Sequence, residues 1–79
     1  MSQPSGYKME LNNYLQIRFR STASLSWVYE RVGPDHALQW TAIAYINNIE
    51  YGRGTNSQKG AAAEIAAYQT LVALSTSTS

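Results

Sequence analysis

Apolar residues recur at helical spacing near both ends of the chain and at alternate positions in between. The first helical stretch is Lys8 to Arg18, in which Leu11, Tyr14 and Leu15 share one stripe at spacings of three and four. The other side of this helix is expected to stay free for solvent or a partner, and it holds Met9, Asn12, Asn13 and Gln16.

Three strand-like runs follow, at Leu25–Glu30, Trp40–Ile46 and Ile49–Gly52. In the first run every second residue is large and apolar, which is the period of a half-buried strand. In the second run the alternation places Ile43 and Tyr45 on the sheet face away from the helices. Asn47-Asn48 predicts a two-residue hairpin, because Asn tolerates positive φ. Connections this short make the sheet antiparallel.

The second helix is predicted over Ser57–Leu74. It is rich in alanine, so its backbone can lie close to a sheet. Asn56 or Ser57 can cap it by accepting a hydrogen bond from a free N–H of the first turn. The predicted fold is therefore an α+β sandwich of the α-β-β-β-α kind, in which two helices pack on one face of a three-stranded antiparallel sheet.

Composition limits the chain to one small domain. It has 79 residues and no cysteine, so neither a disulfide nor a thiolate metal site can hold the fold together. Residues 1–6 and 75–79 are predicted to be disordered tails around a domain of residues 7–74. No apolar run approaches the roughly 20 residues of a membrane span, and the first residues lack the pattern of a secretory signal. We therefore expect an intracellular protein, cytoplasmic or nuclear.

A polar turn, Gly33-Pro34-Asp35-His36, separates the first two predicted strands. This turn presents one histidine, and the helix that comes later in the sequence carries Lys59 at its start. This order of elements suits a protein that binds a sugar-phosphate backbone. A lone histidine without partners indicates neither a metal site nor acid–base catalysis. Gly52-Arg53-Gly54 also precedes a helix, but it lacks the spacing of a nucleotide-binding phosphate loop. The residues therefore predict no enzyme, no cofactor and no metal.

The chain resembles the double-stranded-RNA-binding domain in five motifs that occur in the family's order. They are the helix-one signature Leu11–Gln16, the loop Gly33–His36, the strand-two aromatic Trp40, the glycines Gly52-Arg53-Gly54, and the helix-two stretch Ala66–Leu71. The resemblance covers roughly Tyr7 to Leu74. It implies a protein that binds double-stranded RNA by its shape, with little sequence specificity.

The resemblance also implies where two minor grooves of the duplex are contacted. Helix one meets one groove through Met9, Asn12 and Asn13, and Asn side chains suit 2′-hydroxyls and base edges because they both donate and accept. The turn meets the second groove through the region of the Pro34 carbonyl and through His36. A domain of this family spans about 16 bp in this way.

The third implied contact is with the phosphates between those grooves, at the start of helix two. There the free N–H groups, the helix dipole and Lys59 favour an anion. The family usually has a Lys-Lys-x-Ala-Lys run at this point, whereas this chain has Lys59, Gly60, Ala61, Ala62 and Ala63. Arg53 from the preceding loop can supply a second cation, and Gln58 a neutral hydrogen bond. Few cations and a net charge of +1 predict modest affinity with a shallow salt dependence.

A second function class stays open. Some members of this family have given up RNA and pair with other proteins, and the near-neutral charge and missing lysines fit that use. Ile43 and Tyr45 on the outer sheet face, together with an exposed third strand, offer surfaces for a homodimer or for a larger RNA-processing protein. The alternative hypothesis is therefore an interaction or dimerisation module with weak or no RNA binding.

Overall fold

The computed structural model describes residues 6–19 and 24–76 of the chain. Its elements are α1 (Tyr7–Phe19), β1 (Leu25–Val32), a short 3-10 turn (Asp35–Ala37), β2 (Gln39–Ile46), β3 (Ile49–Asn56) and α2 (Lys59–Thr76). The predicted α-β-β-β-α order is confirmed. The predicted tails fall largely outside the described residues, at positions 1–5 and 77–79.

The three strands form one antiparallel sheet in the order β1-β2-β3. The hairpin between β2 and β3 turns at Asn47 and Asn48, whose φ values of 53° and 67° confirm the predicted positive-φ turn. Ala44 pairs with Gly52 but Tyr45 pairs with Glu50, so Tyr51 is an extra residue in β3 and makes a β-bulge.

Both helices lie on one face of this sheet, and two clusters of buried side chains fill the space between them. The larger cluster joins α1, β2 and α2, and consists of Leu11, Leu15, Ile46, Ala67 and Leu74. The second cluster is made of alanines from β2 and α2, and consists of Ala42, Ala62, Ala63 and Ala66. Because alanine is short, this second cluster lets α2 approach the sheet closely.

Strand β3 is four residues longer than predicted, since it continues beyond Gly52 to Asn56. The close approach of α2 explains the two glycines in this strand. A Cβ on Gly52 would lie 2.6 Å from the Ala66 carbonyl oxygen, and a Cβ on Gly54 would lie 2.6 Å from the Ala62 carbonyl oxygen. These glycines therefore belong to the sheet and seat α2 on it, whereas the sequence suggested a loop that leads into the helix.

The helix ends also differ slightly from the prediction. The amide of Glu10 donates to the Gly6 carbonyl at 2.8 Å, so α1 begins one residue early. Helix α2 begins at Lys59, and the predicted cap Asn56 accepts the Gln58 amide at 3.0 Å just before it. Helix α2 continues to Thr76, whose hydroxyl donates to the Val72 carbonyl at 3.0 Å.

The outer face of the sheet, away from the helices, is less accessible than predicted. Ile43 was expected to be available there for a partner, but it is only 3% exposed. It lies on the central strand, between Val28 on β1 and Arg53 on β3. Ile43 is therefore on the predicted face, but it is buried there and offers little apolar surface to a partner.

Candidate nucleic-acid interface

The exposed side of α1 carries the three residues that the sequence assigned to the first minor groove. Leu11 and Leu15 are completely buried, and this fixes how the helix is rotated on the core. The opposite side, with Met9, Asn12 and Asn13, is consequently exposed, and the Met9 side chain is 67% accessible. The structure thus leaves all three side chains accessible to a ligand.

The loop between β1 and β2 is a compact turn that presents its polar residues outward. Gly33 has a φ of +94°, and a Cβ on it would lie 2.8 Å from the Ala37 carbonyl oxygen, so a side chain is excluded at this position. The Pro34 carbonyl accepts the Ala37 amide at 2.9 Å and retains a second lone pair. His36 is exposed within the 3-10 turn.

The start of α2 combines free backbone donors with a cation. The first hydrogen bond of the helix runs from the Ala62 amide to the Gln58 carbonyl, at 3.0 Å. The amides of Lys59, Gly60 and Ala61 therefore have no carbonyl partner within the helix. Gln58 and Lys59 are both exposed, so both side chains are accessible to a phosphate.

Aromatic rings on the sheet hold the Lys59 side chain in place. Its ammonium nitrogen lies 4.5 Å from the centre of the Tyr29 ring and 5.2 Å from that of Trp40. Contacts of this length are cation–π interactions, which orient the cation but leave its charge intact. Both rings are only partly buried and pack against the alanine cluster of α2. Both rings thus lie at the edge of this cluster.

Arg53 does not join this group, so its predicted place in a loop before α2 is wrong. It belongs to β3, and alternation along the strand directs it to the outer face, opposite Gly52 and Gly54. Its guanidinium makes two hydrogen bonds to Glu50, at 2.8 and 2.9 Å. The bond to Arg53 lowers the pKa of the Glu50 carboxyl, and the same bond raises the pKa of Arg53.

The loop and the start of α2 lie at the same end of the sheet. Val32 and Gln39 pair directly across the loop, and the next residue of β2, Trp40, pairs with Asn56 just before α2. Helix α1 lies beside α2, where the Tyr7 amide donates to Glu64 at 2.7 Å. The fold therefore gathers two predicted contact regions at one end and places the third in the adjoining helix layer.

Two cations near this surface were not predicted from the sequence. The Lys8 ammonium lies 5.6 Å from the Trp27 ring, and the Arg31 guanidinium carbon lies 5.8 Å from the Trp40 ring. The available signal was the alternation along β1, which continues from Trp27 through Tyr29 to Arg31. That pattern puts Arg31 on the same sheet face as the aromatics.

An apolar groove lies between α1 and α2, on the side of the helix layer. Its volume is about 440 Å³, and its lining residues are Glu10, Asn13, Tyr14, Ile17, Leu71, Val72 and Ser75. Ile17 is 76% exposed and Val72 is 42% exposed, which is high for apolar side chains. The groove is a feature that the sequence pattern did not predict.

The described residues show no sign of two other kinds of site. Within residues 6–19 and 24–76, no three His, Cys, Asp or Glu side chains gather in a way that could hold a metal ion. None of the helices in that part of the chain is long and apolar enough to cross a membrane.

Comparison with known proteins agrees with the fold. Residues 7–74 match the family model of the double-stranded RNA binding motif, so this chain belongs to that family, and membership supports double-stranded RNA binding in general. A segment of 43 residues, 54% of this chain, is 44% identical to part of Ribonuclease 3 from Corynebacterium efficiens. The match spans 17% of the length of that ribonuclease.

Proposed function

We propose that this domain binds double-stranded RNA by its shape, with little sequence specificity and modest affinity, and that it is not itself an enzyme. The observation that carries the proposal is the exposure of three contact regions on a fold of this family: one side of α1, the loop before β2 and the start of α2. The side of α1 and the loop offer neutral hydrogen-bonding groups, which suit the two minor grooves of an RNA duplex. The start of α2 offers a positive charge and free amides, which suit the phosphates between those grooves.

The minor grooves are the proposed targets of α1 and the loop. A-form RNA has a wide, shallow minor groove lined with 2′-hydroxyls, which side chains can reach without unstacking the bases. Asn12 and Asn13 supply donors and acceptors for one groove, with Met9 beside them. His36 and the Pro34 carbonyl supply them for the second groove. The 2′-hydroxyls that these groups would contact occur at every base pair, which supports recognition by shape.

The phosphates between the grooves are the proposed target of α2. The free amides of its first turn, its dipole and Lys59 together favour an anion, and Gln58 adds a neutral donor. Arg53 is left out of this proposal because it is paired with Glu50 on the opposite face of the sheet. With few cations at this point, we expect modest affinity.

A gel-shift titration tests the proposal directly. A duplex RNA of about 20 bp, a DNA duplex of the same sequence and a single-stranded RNA are compared at low and moderate salt. Binding to the RNA duplex alone, weaker at higher salt, is the expected result. His36→Ala and Lys59→Ala are each expected to weaken that binding without loss of the folded spectrum. Unchanged affinity in both variants would contradict the proposal.

A second candidate function is an interaction module, and the groove between α1 and α2 is the observation that favours it. The exposed side chains of Ile17 and Val72 line this groove, and a helix from a second copy or from another protein could pack into it. Sedimentation at rising concentration measures self-association, and Ile17→Glu should abolish it. A monomer at all concentrations that still binds duplex RNA would count against this second function as dimerisation.

A further inference from the structure

Two cations from distant parts of the chain meet on one aromatic ring. The guanidinium carbon of Arg31 lies 5.8 Å from the centre of the Trp40 ring, and the ammonium nitrogen of Lys59 lies 5.2 Å from it. The sheet creates this meeting, because Arg31 pairs with Trp40 and Trp40 pairs with Asn56, which precedes the start of α2. Arg31, Trp40 and Asn56 therefore form a row of paired residues across the three strands, and Lys59 follows Asn56 at the start of α2.

Neither charge is neutralised by a carboxylate. Within residues 6–19 and 24–76 the ion pair that forms is the one between Arg53 and Glu50. The Trp40 ring holds both cations without cancelling their charge. Both positive charges therefore act at the same end of the sheet, and their combined potential attracts an anion. A phosphate suits the pair, because a guanidinium binds phosphate oxygens in a bidentate way and an ammonium binds them as a point charge.

We propose that Arg31 is a phosphate-binding residue of this domain and acts with Lys59 as a two-cation site on the Trp40 ring. The inference rests on the proposed function, because the phosphate is that of duplex RNA. Arg31 lies two residues before Gly33, at the end of the sheet that also holds the loop proposed for a minor groove and the start of α2.

This site bears on one of the two missing lysines of α2, the one at position 63. Ala63 stands where the third lysine of the family's run would fall, and it is only 1% exposed. It belongs to the alanine cluster against which Tyr29 and Trp40 pack, so a larger side chain there would disturb that packing. Strand β1 supplies a second positive charge through Arg31, and the Trp40 ring, which packs on the same cluster, holds it.

The test is the salt dependence of affinity for a duplex RNA of about 20 bp, measured with the full chain and four variants. Arg31→Gln is expected to reduce the slope of log affinity against log salt by about 0.9, the loss of one phosphate contact. Arg31→Met keeps the aliphatic stem that packs on the ring, and the same reduction is expected. Arg31→Lys keeps the charge and should retain the slope. Arg53→Gln is the matched control on the outer face and should also retain it.

Circular dichroism and thermal unfolding of each variant separate a binding role from a packing role. If Arg31 only packs on Trp40, the neutral variants change the unfolding midpoint and keep the wild-type slope, and that result overturns the inference while leaving the proposed function intact. If the wild-type chain binds no duplex RNA at any salt concentration, the proposed function fails and the inference fails with it.

Discussion

Both faces of the sheet carry an arginine, but the two arginines have different partners. One is paired with a carboxylate and the other with an aromatic ring. On the outer face, Arg53 is held by a carboxylate, with 2.8 Å between its Nε and Glu50 Oε2. On the helix-facing side, Arg31 and Lys59 are held by the Trp40 ring. A carboxylate cancels a positive charge, whereas an aromatic ring leaves it available to an anion.

This difference means that a count of cations does not say which positive charges remain available to an anion. The chain has six Lys and Arg against five Asp and Glu, which suggested a weak binder. The partner of each cation matters more, because a paired charge gains little from a phosphate. Four variants test the contrast between the two faces, and their expected effects decrease from Gly54→Ala to Glu50→Gln.

Gly54→Ala tests whether the helix-facing side is fixed by backbone contact. The new Cβ would lie 2.5 Å from Ile65 Cβ and 2.6 Å from the Ala62 carbonyl oxygen, so α2 must shift. Overpacking of this kind costs about 1–3 kcal/mol in the free energy of unfolding. Urea unfolding measures it. Gly60→Ala is the control, because its Cβ meets open space and a helical alanine adds up to about 1 kcal/mol of stability. Equal stability in the two variants would contradict the close packing of α2 on β3.

Lys59→Glu tests the helix-facing cation against the outer one. Reversing this charge removes a phosphate contact and adds repulsion, so we expect affinity for duplex RNA to fall by about tenfold or more, in line with hydrogen bonds to charged groups. Arg53→Glu carries the same change of charge on the outer face, and should weaken binding far less. Fluorescence anisotropy with a labelled duplex measures both. Equal losses would show that net charge, and not the face, decides the affinity.

His36→Ala tests the loop, which belongs to neither face. The variant loses a groove contact and keeps every proposed phosphate contact, so we expect affinity to fall by a few-fold, roughly 1 kcal/mol, the typical contribution of a hydrogen bond. The salt slope should stay that of the wild type. Anisotropy at several salt concentrations measures both quantities. A reduced slope would place His36 on a phosphate and would redraw the interface.

Glu50→Gln tests the outer face alone and has the smallest expected effect. The bond from Arg53 lowers the pKa of Glu50 below its ordinary value of 4.5, so the pair stabilises the folded state above that pH. The contribution is lost as the pH falls through the lower, folded-state pKa. Both side chains are exposed, so the change in unfolding midpoint should be small at pH 7 and vanish in acid. A difference that grows in acid would contradict the assigned direction.

Much of this fold is predictable because its signals are local. The alternation in β1, the Asn47-Asn48 hairpin and the stripe around Leu11 each depend on neighbours in the sequence. The extension of β3 was missed because Gly52 and Gly54 look like loop residues until α2 is placed against them. The extent of β3 therefore depends on its packing against α2, which lies further along the chain, and not on the local sequence alone.

The residues of the candidate site also fall into two groups, those indicated by local motifs and those that depend on contacts across the sheet. His36 and Lys59 were predicted because each stands in a recognisable motif. Arg31 was missed because its role depends on pairing with Trp40 across the sheet. Arg53 was assigned to a loop before α2 because β3 was predicted to end at Gly52, one residue before it.

A nuclear magnetic resonance titration of the labelled chain with a duplex RNA of about 20 bp shows whether RNA contacts α1, the loop and the Arg31–Lys59 end of the sheet. We expect the largest shifts at the Asn12, Asn13, Arg31, His36 and Lys59 amides, with Val28, Glu50, Arg53 and Thr55 on the outer face nearly unchanged. Shifts concentrated on the outer face, or no shifts at saturating RNA, would contradict the account.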